Sequence, residues 1–331
     1  MHRTRQPMPD DHNIDFGERT RDLSIIIPLF NEAAVLPELV ARLLDTLAKL
    51  PDRTEIIFVD DGSSDGTHEQ IQKLCEHDSR CIGIRLSRNF GHQQAVSAGM
   101  QHAVGDVVAI LDGDLQDPPE LLPRFIEQIE DGYDIVYGVR RDRKEGFAKR
   151  LCYGTFYKIL ARLAPIEIPL DSGDFCMMRQ RVVREINSMP ERHRFIRGMR
   201  SNLGFRQTGL EYERDARAAG TSKYSWKKLI GLAADGVFSF SALPLRAVSF
   251  LGFVIAGMSI LYALYVFVWK LYSKADPELD GFAAIAVGIF FLGGVQLVCI
   301  GILGEYVGRI HDEVKERPAY VIDTIIMKRE S

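Results

Sequence analysis

The stretch "AILDGDLQDPPE", residues 109–120, runs an apolar segment straight into three carboxylates, Asp112, Asp114 and Asp117. Acids this close repel one another unless a cation or hydrogen bonds offset their charge. The alternation Asp112-Gly113-Asp114 sets two of them on one tight loop. Hard oxygen donors of this kind suit Mg²⁺ or Mn²⁺, which take few protein groups and complete their shells with phosphate and water. Gln116 can add an amide oxygen. A cation held there would neutralise a diphosphate leaving group as its charge grows. Asp117, directly before Pro118 and Pro119, is expected to cap the next helix instead.

A second acidic motif, "VDDGSSDGT" at 59–67, reads in two ways. Asp, Gly and Ser are the residues that turns and helix starts prefer. Two adjacent acids, Asp60 and Asp61, closing a buried strand can equally accept from a ribose hydroxyl or a base N–H. Neither G-x-x-x-x-G-K-[ST] nor G-x-G-x-x-G occurs, which argues against a P-loop or a standard dinucleotide site.

The elements that must carry these motifs follow from the apolar pattern. "LSIIIPLF" (23–30), "TEIIFVDDG" (54–62), "CIGIRLS" (81–87), "DVVAILDGD" (106–114) and "DIVYGV" (134–139) are short β-branched runs ending in polar residues or Gly. Helix-like stretches lie between them, at 32–50, 65–78, 93–103 and 119–131. This alternation predicts βαβ units and a parallel sheet, and ligands of such sheets bind beyond the carboxyl ends of the strands. Asn31 and Glu32 follow the first strand, Asp60, Asp61, Ser63 and Asp65 the second, and Arg88, Asn89 and Gly91 the third. The acidic cluster follows the fourth, so four strand ends converge on one polar site.

Composition divides the chain of 331 residues along its length. From Leu23 to about Phe240 the pattern suits a soluble domain, whereas 247–269 and 282–304 are nearly free of charge. At about 1.5 Å per residue each of the two runs reaches roughly 34 Å as a helix, enough to cross a hydrocarbon core. Residues 1–22 carry no apolar stretch and read as a disordered tail outside any signal peptide. Lys227, Lys228 and Arg246 before the pair, with Arg309, Lys315 and Arg317 after it, predict that the soluble domain and both termini face the cytoplasm. The cysteines show no metal-type pair and no disulfide framework. A net charge of -4 gives no case for nucleic acid.

Two segments look built for a membrane surface. "RRDRKEGFAKR" (140–150) carries Arg140, Arg141, Arg143, Lys144, Lys149 and Arg150, and leads into Tyr153, Phe156, Tyr157, Leu160 and Leu163 at helical spacing. Residues 223–243 place Trp226, Leu229, Ile230, Ala233, Val237 and Phe240 on one face, with Lys223, Lys227 and Lys228 at one end. Basic amphipathic segments attract a lipid surface or a lipid phosphate. After Arg317, within a tail spanning 307–331, "PAYVIDTIIM" alternates enough to form an extra strand, expected to pair with a neighbouring subunit in a homo-oligomer.

Taken in order, "IIIPLFNE", "VDDGSSDGT", "SRNFGHQQAVSAG", "LDGDLQDPPE" and "YGVRRDR" resemble the family 2 inverting glycosyltransferases of GT-A fold. Within that family they look most like the polyisoprenyl-phosphate branch, which includes dolichol-phosphate mannose synthases and bacterial polyprenyl-phosphate glucosyltransferases. The resemblance covers about residues 23–240. It implies an α/β, Rossmann-like nucleotide-sugar domain at 23–222, an interfacial helix at 223–243 and a membrane domain at 244–306. It further implies that Pro28, Asn31, Glu32, Asp60 and Asp61, with Ser63, Arg88, Asp112 and Gly113, bind a nucleotide sugar. Asp112, Asp114 and Gln116 would ligand Mg²⁺ or Mn²⁺. In "DSGDF" (171–175), Asp174, with Asp171 second, would act as base or orient the attacking phosphate, Asp114 joining them as a catalytic residue. Arg140, Arg141, Arg143, Lys149, Arg197, Arg200 and Lys223 would meet an acceptor phosphate.

The Q-x-x-R-W signature of the processive branch is absent; "RFIRGMR" (194–200) occupies that region. The implied activity is transfer of a sugar, with UDP-glucose as the first choice of donor, to polyprenyl phosphate at the inner, plasma membrane. The rival readings are a transferase that extends a polysaccharide and a non-catalytic nucleotide-sugar-binding membrane subunit.

Overall fold

The computed structural model describes residues 21–141, 172–192, 194–213, 243–272 and 281–328. Of the tail expected at 1–22, residues 1–20 lie outside the described residues, while Arg21 and Asp22 open the first strand and are not a disordered tail. Most of the basic segment 140–150, Asp171 and all but Leu243 of the amphipathic segment 223–243 also lie outside them.

The first half is a regular α/β alternation: β1 (Arg21–Leu29), α1 (Leu36–Leu47), β2 (Thr54–Asp60), α2 (Thr67–His77), β3 (Cys81–Leu86), α3 (His92–His102) and β4 (Gly105–Ile110). Ile25, Ile26, Ile27, Ile57, Phe58, Val59 and Val108 are sealed from solvent, as a strand covered on both faces requires. In α1, Leu36, Leu39, Leu43 and Leu47 recur at helical spacing and are its buried face, and Pro37 in the first turn costs no hydrogen bond. Helix α3 packs tightly on the sheet: a Cβ added at Gly99 would lie 2.4 Å from Ile26 Cγ2. That close approach fixes where the first turn of α3, with His92 and Gln93, meets the strand ends.

A short 3-10 turn (Pro119–Leu121) leads into α4 (Leu122–Glu130), followed by β5 (Ile135–Arg141), β6 (Ser172–Arg179), α5 (Gln180–Ser188), α6 (Ile196–Asn202) and β7 (Gln207–Glu213). Two long helices, α7 (Leu243–Tyr272) and α8 (Gly281–Val314), precede β8 (Ile322–Met327). The strands form one sheet in the order β7-β5-β6-β4-β1-β2-β3-β8.

The expectation of a parallel sheet is corrected here. The run β3-β2-β1-β4 is parallel, but β6 enters antiparallel between β4 and β5, and β8 is antiparallel to β3. The sheet is therefore mixed. Because β6 runs backwards, its beginning, not its end, lies at the edge where the parallel strands finish.

The C-terminal strand is also corrected. It forms, but it pairs with β3 of its own chain, Ile84 opposite Ile325 and Gly83 opposite Ile326. Edge strands expose unpaired backbone groups, and this chain covers its own edge, so the strand gives no reason to invoke a second subunit.

The apolar runs expected at 247–269 and 282–304 both lie within long helices, whose outward residues include Phe250, Phe253, Tyr262, Ile289, Leu297 and Ile300. Among the described residues, one segment, Phe291–Val314, is long and apolar enough to cross a membrane; the qualifying run in α7, Val248–Tyr262, is shorter.

Candidate functional site

The loops after β1, β2 and β3 are tied to one another by the polar residues that the sequence set aside for a ligand. Asn31 sits in the left-handed region at φ +56°, which Asn tolerates better than most residues. Its N–H donates to Ser63 Oγ at 2.9 Å, and Ser64 N–H donates back to Asn31 Oδ1 at 2.9 Å. Glu32 N–H donates to Thr67 Oγ1 at 3.1 Å, and Ala33 N–H to Asp65 Oδ2 at 3.0 Å.

Asp61 is buried and accepts the backbone N–H groups of Phe90 (2.7 Å) and Gly91 (2.9 Å). Burial raises its pKa above the ordinary value, against the pull of those two donors. Asp60, equally buried, accepts Ser63 N–H through Oδ1 at 2.9 Å. Its Oδ2 has no hydrogen bond and faces His68 Nδ1 at 3.5 Å and Arg85 Nε at 3.8 Å. Arg88 is exposed and lies over the Phe90 ring, 4.0 Å from its centroid. Pro28 is inside β1, paired with Val59.

The acidic loop lies across the end of β1. A Cβ at Gly113 would stand 2.4 Å from Leu29 Cδ2 and 3.1 Å from the Pro28 carbonyl oxygen, so only glycine lets the loop settle there. Asp112 and Asp114 flank this contact, and Gln116 N–H donates to Asp114 Oδ1 at 3.2 Å. Asp117 does not cap the following helix, whose N-cap residue is Pro118 with no side-chain cap. It is fully buried and accepts the hydroxyl of Tyr212 from β7.

The antiparallel entry of β6 closes the site. Ile110 of β4 stands opposite Cys176 of β6, and continuing that register by two residues sets Asp112 opposite Asp174. His92, in the first turn of α3, bridges them, with Nε2 3.6 Å from Asp112 Oδ1 and 3.3 Å from Asp174 Oδ2. Gln93 donates to Asp174 Oδ2 at 3.1 Å and accepts Ile196 N–H at 2.9 Å, so it also anchors the start of α6. Arg197 Nη2 donates to Asp174 Oδ1 at 3.3 Å. Arg200 is buried over the Tyr137 ring, 4.9 Å from its centroid.

Burial opposes charge on His92, Asp112 and Asp174, and the neighbours decide the outcome. For His92 burial works downward, but the carboxylates of Asp174, Asp112 and Asp61 outweigh it and raise the imidazole to about 9. Burial raises Asp112 to about 7, with Asp117, Asp174 and Asp114 adding to it against His92. For Asp174 burial works upward but is overcome by His92, Arg197 and Arg200, which hold its carboxyl well below the usual range. A carboxylate so strongly held is a weak Brønsted base; it is better suited to fixing His92 and Arg197.

Several polar atoms of this group are buried without hydrogen-bond partners, namely Asp112 Oδ1, Arg197 Nε, and Arg200 Nε and Nη2; Asp60 Oδ2, at the end of β2, is another. Buried polar groups are normally satisfied, so the cluster marks a place where a polar ligand fits. No group of three or more His, Cys, Asp or Glu among the described residues makes a preformed metal cage. Two loop carboxylates with an orphaned oxygen do fit Mg²⁺ or Mn²⁺, which take one or two carboxylates together with substrate phosphates.

Of the residues expected in the site, Asp112, Asp174 and Arg197 come together, with Asp114 on the same loop. Arg140 and Arg141 end β5, and Arg143, Lys149, Asp171 and Lys223 lie outside the described residues. His92, Gln93 and Tyr212 were not singled out from the sequence. For His92 and Gln93 the signal was position: they open a helix directly behind a strand-end loop.

A mixed α/β sheet with an acidic loop after β4 and a polar site along its carboxyl edge is the arrangement of GT-A-type glycosyltransferases. Residues 24–186 match the glycosyl transferase family 2 profile, and residues 243–310 match the GtrB C-terminal hairpin. The SfII prophage-derived bactoprenol glucosyl transferase of Shigella flexneri is 40% identical over 91% of this chain and 97% of its own length. An uncharacterized glycosyltransferase of Synechocystis is 42% identical over 92% of this chain and 96% of its own. Among solved structures, a Pyrobaculum calidifontis mannosyltransferase in complex with GDP-Man and Mn²⁺ aligns with a TM-score of 0.45 at 16% identity, over 89% of this chain and 88% of that one. The chain belongs to glycosyl transferase family 2, and it is a glycosyltransferase.

Proposed function

We propose that the enzyme transfers one sugar from a nucleotide-diphosphate sugar, UDP-glucose first among the candidates, to polyprenyl phosphate. A phosphate oxygen of the lipid attacks the anomeric carbon, the bond to the diphosphate breaks, and the anomeric centre inverts. The observation that carries this reading is the meeting of Asp112 and Asp174 at His92, with orphaned arginine nitrogens in the same group. The bactoprenol glucosyl transferases that align over nine-tenths of the chain support the acceptor.

Asp112, Asp114 and Gln116 would hold Mg²⁺ or Mn²⁺, which when bound offsets the charge developing on the diphosphate. On the other side of the reacting carbon, Arg197 and Arg200 supply positive charge for the lipid phosphate, and Asp174 keeps Arg197 and His92 in place. No strong base is required, because a phosphate monoester with a second pKa of about 6 is already largely anionic at neutral pH. The loop ties around Asn31, Ser63 and Asp61 set the floor for the nucleotide. Helices α7 and α8 are read as a two-crossing hairpin in the plasma membrane, with the catalytic domain and both termini on the cytoplasmic side; the length and apolar surface of both helices support this.

The test uses inside-out membrane vesicles carrying the full-length protein, a panel of nucleotide sugars, and undecaprenyl phosphate present or absent. Release of nucleoside diphosphate that needs both the lipid and one donor is expected. Asp114→Ala should lower it by at least about a hundredfold, the scale of removing a group that stabilises transition-state charge. Release that ignores the lipid, or a polymeric product, rules the reading out.

A further inference from the structure

Tyr212 reaches the acidic loop from the far edge of the sheet by a route the fold keeps clear. It stands on β7, which among the described strands pairs with β5, yet its hydroxyl donates to Asp117, beyond β4 and so three strands along the sheet, behind the loop that bears Asp112 and Asp114. The ring crosses β5 at Gly138, where a Cβ would lie 2.6 Å from Tyr212 Cε1. It then packs edge-on against Phe175 at 5.8 Å, and Phe175 stacks on Phe125 at 4.7 Å. Phe175 directly follows Asp174.

The loop between Gly113 and Asp117 is held in a conformation it would not choose alone. Leu115, an ordinary L-residue, sits at φ +60° and is buried. Such left-handed non-glycine residues persist only where the surroundings over-determine them. Gly113 pins one end of the loop against Leu29, and the Asp117–Tyr212 hydrogen bond pins the other.

We infer that Tyr212 is a positioning residue: through Asp117 it holds the Asp112–Gln116 loop in the shape that binds the divalent cation, and Gly138 is glycine to let its ring through. This rests on the metal assignment proposed above. Partners that orient metal-binding groups affect affinity for the metal directly, by about 10- to 100-fold when removed.

Mn²⁺ binding to the full-length protein in detergent, with UDP present, is measured by the loss of the free-ion EPR signal, alongside the thermal transition. Tyr212→Phe keeps the ring and its packing but loses the hydroxyl. It should weaken Mn²⁺ binding about tenfold, lower the transition by only about 2 to 4 °C for the one buried hydrogen bond lost, and leave kcat at saturating Mn²⁺ near that of the parent. Gly138→Ala, which displaces the ring with its hydroxyl intact, should give the same defect, and the double variant should be no worse than either single one. Unchanged Mn²⁺ binding in Tyr212→Phe, or fully additive losses in the double variant, overturns the inference. Asp114→Ala serves as the control: if it still binds Mn²⁺ as the parent does, the metal assignment itself fails.

Discussion

The two halves of the sheet hold their share of the site by different means. On the β1–β3 side, loops are laced by hydrogen bonds from backbone N–H groups to side chains, Asn31 to Ser63, Ser64 to Asn31, Phe90 and Gly91 to Asp61, and Ala33 to Asp65. On the β4–β6 side, ion pairs do the holding: Asp174 sits between His92 and Arg197, with orphaned atoms on Asp112 and Arg200 nearby. A hydrogen-bonded lattice holds its shape without a ligand, even with Asp60 Oδ2 left open. A partly exposed ion-pair cluster with orphaned polar atoms is fully satisfied only when substrate charge enters it. The first half reads as a prebuilt floor and the second as the part that responds to substrate.

The largest effect that can break this contrast is expected at Asp174. Asp174→Ala leaves His92 and Arg197 without their shared carboxylate; all three side chains are partly exposed, so solvent screening holds the stability cost to about 1 kcal/mol and the loss falls mainly on transfer. Transfer should fall far more than thermal stability, and the lipid-phosphate KM should change more than the nucleotide-sugar KM. Equal changes in both would remove the distinction between the halves.

A smaller effect on transfer is expected on the floor. Asp61→Ala strands two backbone N–H donors, at about 2 kcal/mol for hydrogen bonds to a charged acceptor. Chemical denaturation should register this loss. If stability instead holds while the nucleotide-sugar KM rises steeply, Asp61 is a ligand residue and not a tie. The smallest effect is expected at Arg42 and Glu120, which link α1 to the turn after the acidic loop at 2.8 Å but are solvent-accessible. Glu120→Ala should cost no more than about 1 kcal/mol and leave kcat unchanged; a larger loss would extend the charged regime to the surface.

The same contrast explains what the sequence could tell. Strands β1 to β5 and helices α1 to α4 follow from their periodicity, and their ends point to the site, because a buried β-branched run and a leucine face each have one stable use. Strand β6 was not legible. "SGDFCMMR" has no alternation, since it is buried on both faces, and nothing local fixes its direction or its place between β4 and β5. The acids of "VDDGSSDGT" fit a turn with a helix cap and a ligand site equally well on paper; that Asp61 also ties to backbone N–H groups of another loop was not legible, because those groups lie some thirty residues away. Asp117 beside two prolines looked like a cap, because its partner Tyr212 is remote in sequence. The terminal strand showed its alternation but not which edge it would cover.

That edge strand has a mechanical consequence. Helix α8 ends at Val314 with Glu313 accepting Arg192 N–H at 3.0 Å, and the chain is stitched into the sheet again from Ile322. The connection at 315–321 can extend to no more than about 25 Å. With α8 seated in a bilayer, this leash limits how far the sheet can lift from the surface. On the membrane seating proposed above, the leash sets an upper bound on the distance between the catalytic edge and the bilayer, and a lipid phosphate must be met within that reach.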